Sequence, residues 1–429
     1  MSDAAAALRE VLQASRRRIV ARLGGRLGLG HLALADAPLQ VACRRALSAG
    51  PAGGVPQNPA GWLYRVALNV ALDTLRVAGR HQPWPEDDEA ADLGSDRAAD
   101  TRGAGPEGRL AGELGDDELV LLFACCHPAL PAAQQVALAL RLLTALELAP
   151  IAQVLLCTEA ALAQRLARAR EGLAAVARAA PAGWHAPSGA ELPPRREAVL
   201  TVLSLAFHAG ARARSRGQPA GAALCWEALR LARALAAHPA VAHPDADALA
   251  ALLLLHGARL TGAVDDEGLP VPLAGQARDR WDAGLVRLGL AHLQAAQRAV
   301  RLSRWHLLAA VAAEHAVAPS VEATRWPVIV RCYDTLLRLD ASAAPRLAHA
   351  VALAEAGDAA TALARLDALQ PALPAALAAH ALAARARAHE RLGELARARQ
   401  LLLAAAEAAP HAADAGMLRR RAAALGAAG

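Results

Sequence analysis

Residues 147–171 read ELAPIAQVLLCTEAALAQRLARARE, two short amphipathic helices joined by a tight turn. Ile151, Val154 and Leu155 mark the buried side of the first helix. Leu162 and Leu166 mark that of the second, at helical spacing. Thr158 stands at the turn, where its hydroxyl caps free N–H groups of the second helix. Glu159 follows in the first turn, where the helix dipole favours an anion. Gln164, Arg165, Arg168 and Arg170 take the outer side. Their donors suit phosphates and guanine edges in a major groove, so the pattern is that of a helix-turn-helix whose second helix reads DNA. The same spacing fits any pair of packed amphipathic helices with a solvated arginine face, so the surrounding chain has to decide.

That chain favours helix. Alanine and leucine dominate and aromatic residues are 3 %, which points to an all-α fold. The 429 residues are enough for about three domains. Alanine inflates the hydrophobic content of 55 %, and no window of about 20 residues is apolar and free of both charge and proline, so no transmembrane helix is expected. Arg9, Arg16, Arg17, Arg18, Arg22 and Arg26 are spread through a helical pattern. A signal peptide bunches its charge ahead of an apolar core, so the expected location is the cytoplasm. There is no lysine, and all 46 basic residues are arginine. Residues 1–80 hold eleven arginines against four acids, and residues 81–118 hold three against twelve. A basic module followed by an acidic tether fits a nucleic-acid partner.

Cys43, Cys125, Cys126, Cys157, Cys225 and Cys332 form no CxxC pair. Cys125, Cys126 and His127 are adjacent, about 100° apart on a helix, which makes them poor co-ligands for one ion. No metal and no cofactor is expected, and the cysteines read as small buried hydrophobes.

In chain order, residues 5–29 form an arginine-rich amphipathic helix with Leu8, Leu12, Ile19 and Leu23 on one side, and residues 31–48 form a second. NPAGWLYRVALNVALDTLR, residues 58–76, is one helix with Pro59 in its first turn; Trp62, Val66, Asn69 and Asp73 fall on one strip. Residues 81–112 are acidic and rich in Gly and Pro, a flexible linker. A helix resumes at Asp116, HPALP (127–131) breaks it, and a four-helix module ends near Ala177. Pro181 to Pro194 is a second linker. From Arg195 helices continue without a basic stripe, and Asp265–Asp266 lie in a solvated turn. EAGDAATAL (355–363) and RLGELARAR (391–399) form a weak repeat. Gly357 and Gly393 are 36 apart, and each is followed five positions on by alanine, Ala362 and Ala398. The period is close to that of tetratricopeptide hairpins, and generic helical hairpins share it.

These stretches resemble the extracytoplasmic-function sigma factors of bacterial RNA polymerase, in particular the group with a long C-terminal helical extension. DDELVLLFACCHPALPAAQQVALALRLL (116–143) is similar to that group's entry into its second DNA-binding domain. TEAALAQRLARAR (158–170) is similar to its recognition helix, and VPQNPAGWLYRVALNVALDTLR (55–76) to the helix that engages the −10 element and core enzyme. HPDADALAALLLLHGAR and DRWD are similar to parts of its extension.

The resemblance implies a region 2 helical bundle over 1–80, an acidic linker over 81–113 and a region 4 helix-turn-helix over 114–178. It implies a helical extension over 195–290 and tetratricopeptide-like hairpins over 291–429. It implies core RNA polymerase and promoter DNA as partners. Thr158, Glu159, Gln164, Arg165, Arg168 and Arg170 would serve the −35 element, and Trp62, Arg65, Asn69, Asp73 and Arg76 the −10 element. Asp36, Leu39 and Gln40 would face polymerase. The extension would regulate these modules or bind a regulatory protein.

The chain departs from the family pattern at Ala37 and Val41, where acids facing polymerase are usual, at Pro38, which interrupts the same helix, at Leu68 and Val70, where arginines are usual, and at Leu156 in the turn, where a small residue is usual. Fewer cations mean weaker binding to DNA. Two alternatives therefore stay open: a degenerate sigma-like regulator that does not melt promoters, and a helical-repeat interaction scaffold. No Gly-rich phosphate loop, HExxH or GxSxG is present, and His208, His256 and His306 read as capping or packing residues, so no catalytic residue is assigned.

Overall fold

The computed structural model describes residues 19, 20, 23, 41, 59–77, 116–143, 146–155, 157–179, 192–239, 241–265 and 269–427. Asp36, Leu39, Gln40, Asp266 and the acidic linker at 81–113 lie outside the described residues, as does the side chain of Arg76. The fold is all-α. Among the described residues the only extended pairing is an isolated bridge between Val264 and Pro270. No helix among them is long and apolar enough to cross a membrane.

The chain divides into two compact units, residues 1–210 with 220–241 and residues 211–219 with 242–429. The domain edges expected at 195 and 290 do not coincide with these units. Position 290 falls inside the helix Ala283–Ala296, and the expected linker end at Pro194 falls inside the helix Leu192–Arg214. Pro193 and Pro194 occupy that helix's first turn, where a missing N–H leaves no hydrogen bond unmade, so proline there starts a helix.

The first unit holds α1 (Pro59–Val77), α2 (Asp116–Cys125), α3 (Ala132–Leu143), α4 (Leu148–Val154), α5 (Glu159–Ala179), most of α6 (Leu192–Arg214) and α7 (Pro219–Ala237). Its core includes Leu63 and Ala67 of α1, Leu121, Leu122 and Phe123 of α2, and Leu162 of α5. Ile19 and Leu23 are buried too. Cys125 and Cys126 are fully buried, and burial pushes both thiols up, as expected of inert packing residues. Among the described residues no group of His, Cys, Asp and Glu is placed to hold a metal. α6 and α7 cross closely at Gly210, where a Cβ would stand 2.8 Å from the Gly221 carbonyl oxygen and 3.0 Å from the Cys225 sulfur.

The second unit is built on α8 (Pro244–Ala258). Pro244 sits at its first position, the His243 ring accepts from Asp245 N–H, and Asp245 and Asp247 favour the dipole. From Ala246 to Leu255 every residue is buried, so this helix has no solvent face. α9 (Ala283–Ala296) and α10 (Arg304–Val317) pack on it. The buried acid Asp247 is met by His292 at 2.9 Å and by Arg298 at 2.6 Å. α10 opens with a capping box between Ser303 and His306, and the other ring nitrogen of His306 lies 3.2 Å from the Ala296 carbonyl.

α11 (Trp326–Leu339), α12 (Ala343–Glu355), α13 (Ala359–Leu369), α14 (Ala378–Arg391), α15 (Leu395–Ala408) and α16 (Ala412–Ala427) follow, each packed on the next. The glycines of the weak repeat turn two of these hairpins. Gly357 has φ +97° and Gly393 φ +77°, the left-handed region that a side chain strains. Ala362 and Ala398 are fully buried one turn later. Asp265 is not a solvated turn residue. It accepts from Leu269 N–H at 2.7 Å and pairs with Arg420 at 2.6 Å, closing the loop before α9.

At Gly289 a Cβ would stand 2.8 Å from Leu255 Cγ and 3.3 Å from the Ala251 carbonyl oxygen, so glycine lets α9 lie against α8. Gly289→Leu is expected to lower stability by about 1–3 kcal/mol through overpacking, read as a fall in thermal midpoint. A second prediction concerns His315, whose ring stands edge-on to Trp326 with centroids 5.3 Å apart. Burial, then the charges of Arg259 and Arg278, push its imidazole down to about 4, against an opposing pull from Glu355. The unfolded imidazole titrates near 6.5, so below that pH the unfolded state binds more protons. Its contribution to stability is full above pH 6.5 and is lost as pH falls toward 4. Thermal midpoints measured across that window should fall less steeply for His315→Gln than for the unaltered chain.

Candidate nucleic-acid interface

The position of α5 is set by one apolar stripe. Leu162, Leu166, Ala169 and Leu173 are buried, and α5 packs on α3 and α4. Thr158 caps it: its hydroxyl oxygen accepts from Ala161 N–H at 3.1 Å, and its carbonyl accepts from Leu162 N–H at 3.0 Å. Gly172 faces the 127–131 turn, where a Cβ would stand 2.6 Å from Leu130 Cδ2. Two buried polar residues fix the segments that α5 leans on. The Gln135 amide donates to the carbonyls of His127 and Leu130, both at 2.9 Å, holding the HPALP turn. Arg141 donates to the Leu146 carbonyl at 3.2 Å and reaches Glu147 at 3.4 Å, tying down the entry to α4. The sequence reading did not single out either residue. The signal was present, since both are polar residues at positions that α3 buries, 6 % and 4 % exposed.

The outer side of α5 is narrower than the sequence suggests. Gln164 and Arg168 are exposed and lie about 40° apart around the helix, opposite the buried stripe. Arg165 is half-buried at the edge of the same arc. Arg170 is exposed but stands about 160° from Arg168, on the other flank, because a step of two positions turns the helix by about 200°. Thr158 and Glu159 are exposed at the N-terminus of the helix. Gln164, Arg165 and Arg168 therefore share a surface, and Arg170 does not join them.

On α1 the candidate residues do converge. Trp62, Arg65, Asn69 and Asp73 are all exposed and fall within about 80° of arc. Leu63, Tyr64, Ala67 and Ala71 are buried on the opposite side. Trp62 is 37 % exposed, an indole offered to solvent in a chain with few aromatics. Position 76 continues the strip in register. The helix thus presents an aromatic plate, a guanidinium, an amide and a carboxylate in one line, a set able to stack on a base and to bond its edges.

Residues 195–297 match a family of unknown function, DUF6596. An uncharacterized protein of Rhizobium meliloti (strain 1021) is 37 % identical over 342 residues, which cover 79 % of this chain and 78 % of that protein. No solved structure matches the chain.

The geometry around the cap yields a stability prediction. Thr158→Ala removes the bond to Ala161 N–H and is expected to cost about 1 kcal/mol. Gln135→Leu takes the side-chain donor from the buried Leu130 carbonyl, while the His127 carbonyl keeps its bond from Leu130 N–H, and is expected to cost more, about 1–3 kcal/mol. Chemical denaturation of the two variants checks that order.

Proposed function

The chain belongs to the family of that Rhizobium meliloti protein, and we propose that it is a sigma factor of the extracytoplasmic-function type. In this role it binds core RNA polymerase and directs it to particular promoters. The observation that carries the reading is the arc of Gln164, Arg165 and Arg168, set opposite a buried stripe on a capped helix. A guanidinium makes bidentate bonds to guanine O6 and N7, and a glutamine amide does the same for adenine, so this arc suits major-groove edges of a −35 element. Residues 114–178 then act as region 4. The exposed strip on α1 supports the second half of the reading. Promoter melting unstacks bases, and Trp62 with Arg65, Asn69 and Asp73 supplies stacking and polar contacts for the exposed −10 strand. Residues 1–80 then act as region 2, with core polymerase as partner. The helical hairpins of the second unit serve as the regulatory extension.

A second reading is a helical-repeat scaffold that has lost promoter activity. The stacked hairpins from α11 to α16 favour it, since such arrays bind protein partners. One experiment separates the two. Purified full-length chain is added to core polymerase on a genomic promoter library, with run-off transcripts and fragment shifts as readouts. A sigma factor yields specific transcripts. Arg168→Ala then weakens promoter binding by about 1–3 kcal/mol and Arg170→Ala weakens it less, while Trp62→Ala depresses open-complex formation more than duplex binding. A chain that neither co-elutes with core enzyme nor shifts any fragment at low salt is not a sigma factor.

A further inference from the structure

The second unit contains two cations that face no hydrogen-bonded carboxylate. Arg259 is the C-cap residue of α8, and Arg278 opens the short 3-10 turn Arg278–Arg280, directly before Trp281. The Arg278 guanidinium lies over the Trp281 ring, 4.1 Å from its centroid, and the Arg259 guanidinium lies 5.7 Å from the same centroid. Trp281 is buried, and Gly262 makes room for it: a Cβ there would stand 3.3 Å from the ring. The indole is therefore a fixed plate that two guanidiniums share. Burial is the largest influence lowering both arginines, and Arg278 further disfavours the charge on Arg259, which is pushed down to about 10.

Several polar atoms of this cluster make no hydrogen bond. Nη1 and Nη2 of Arg278, Nε of Arg259 and Nδ1 of His315 are all buried without a hydrogen bond. Both guanidinium charges also act on the His315 ring. Nearby carboxylates do not fill the gap. Glu355 is engaged by Arg387 and Arg391, and Glu322 bonds its own backbone N–H and the Ser320 hydroxyl. Buried donors are almost always satisfied in folded proteins, and charged donors most strongly need to be. Two like charges held against one aromatic plate, with donors that meet no hydrogen-bond acceptor, favour an anion that reaches them.

We propose that Arg259 and Arg278, assisted by His315, bind a small tetrahedral oxyanion, a phosphate group either free or carried on a monoester. A dianion matches two guanidiniums that no carboxylate hydrogen-bonds; Glu322 acts on Arg278 through its charge alone. Planar forks fixed against an indole suit bidentate contact with phosphate oxygens, and neutral imidazole can turn an Nδ1–H toward the same oxygens. The site lies wholly in the second unit and does not rest on the promoter reading.

Calorimetric titration of the full-length chain tests it, with inorganic phosphate in one arm and ribose 5-phosphate in the other. Chloride at matched ionic strength is the control. The expected result is saturable binding in at least one arm with a rise in thermal midpoint. The arm that binds more tightly identifies the free ion or the ester as the natural form. Arg278→Gln and Arg259→Gln should each weaken binding about tenfold or more, the loss of a charge-assisted hydrogen bond. No saturable heat from the unaltered chain in either arm overturns the proposal, whatever the variants do. Unchanged affinity in both folded variants overturns it as well.

Discussion

The second unit depends on enclosing α8. A helix in which every residue from Ala246 to Leu255 is buried has no face to give to water, so its neighbours must surround it. α9 and α10 do this at short range, and Gly289 sets how near α9 can come. The one charge enclosed with the helix, Asp247, faces outward to His292 and Arg298 instead of remaining unpaired in the core. The segment that matches a family of unknown function, 195–297, includes α8 and α9, which lie at the start of the second unit.

Beyond α8 the unit is assembled from thin helices. Ala350, Ala354, Ala362, Ala386, Ala388 and Ala398 are all at or near full burial, so the hairpins meet through methyl groups. Alanine interfaces carry little shape information, and apolar burial alone would leave the register of such helices loosely set. Ion pairs also cross these interfaces. Glu355 and Glu390 are 6 % and 10 % exposed, and Arg387 bonds both of them. Arg391 joins Glu355 and Arg421 joins Glu390, which links α12, α14 and α16. Burial acts to raise the Glu355 carboxyl, but bonds from Arg387 and Arg391 outweigh it and hold the group below the usual carboxylate range. Desolvation offsets much of the attraction in such a network, so its net contribution to stability is small.

What the sequence makes legible follows the same physics. Periodicity and cap residues locate α5 to within a residue or two, because Thr158 and the Leu162–Leu166 stripe act locally. The same holds for Gly357 and Gly393, whose role is a backbone conformation that their own turns require. The all-α class follows from composition. The division of the chain into units does not, since proline at 193 and 194 reads equally as a linker or as a helix start. The arc of candidate contacts on α5 is also narrower than the row of letters suggests. Arginines at 165, 168 and 170 look like one cluster in a row of letters, yet a rise of 100° per residue puts the last on the far flank. Gln135 and Arg141 do not stand out in the sequence because Gln135 bonds backbone carbonyls, and Arg141 bonds another besides Glu147, which no side-chain pattern announces.

The arginine-only basic composition has a structural consequence that links these observations. A lysine ammonium is a compact charge on a flexible stem, whereas guanidinium is planar and can stack while it bonds. In this chain the same side chain bridges two acids in Arg387, ties a loop through the Leu146 carbonyl and the Glu147 carboxylate in Arg141, and lies over an indole in Arg278. The first two uses leave its donors satisfied within the fold. The third leaves them unsatisfied, with the guanidinium plane held in place by Trp281. Arg278 therefore differs from the structural arginines in its hydrogen bonds more than in its location. A buried fork held rigid without an acceptor is costly, and the proposed anion would offset that cost.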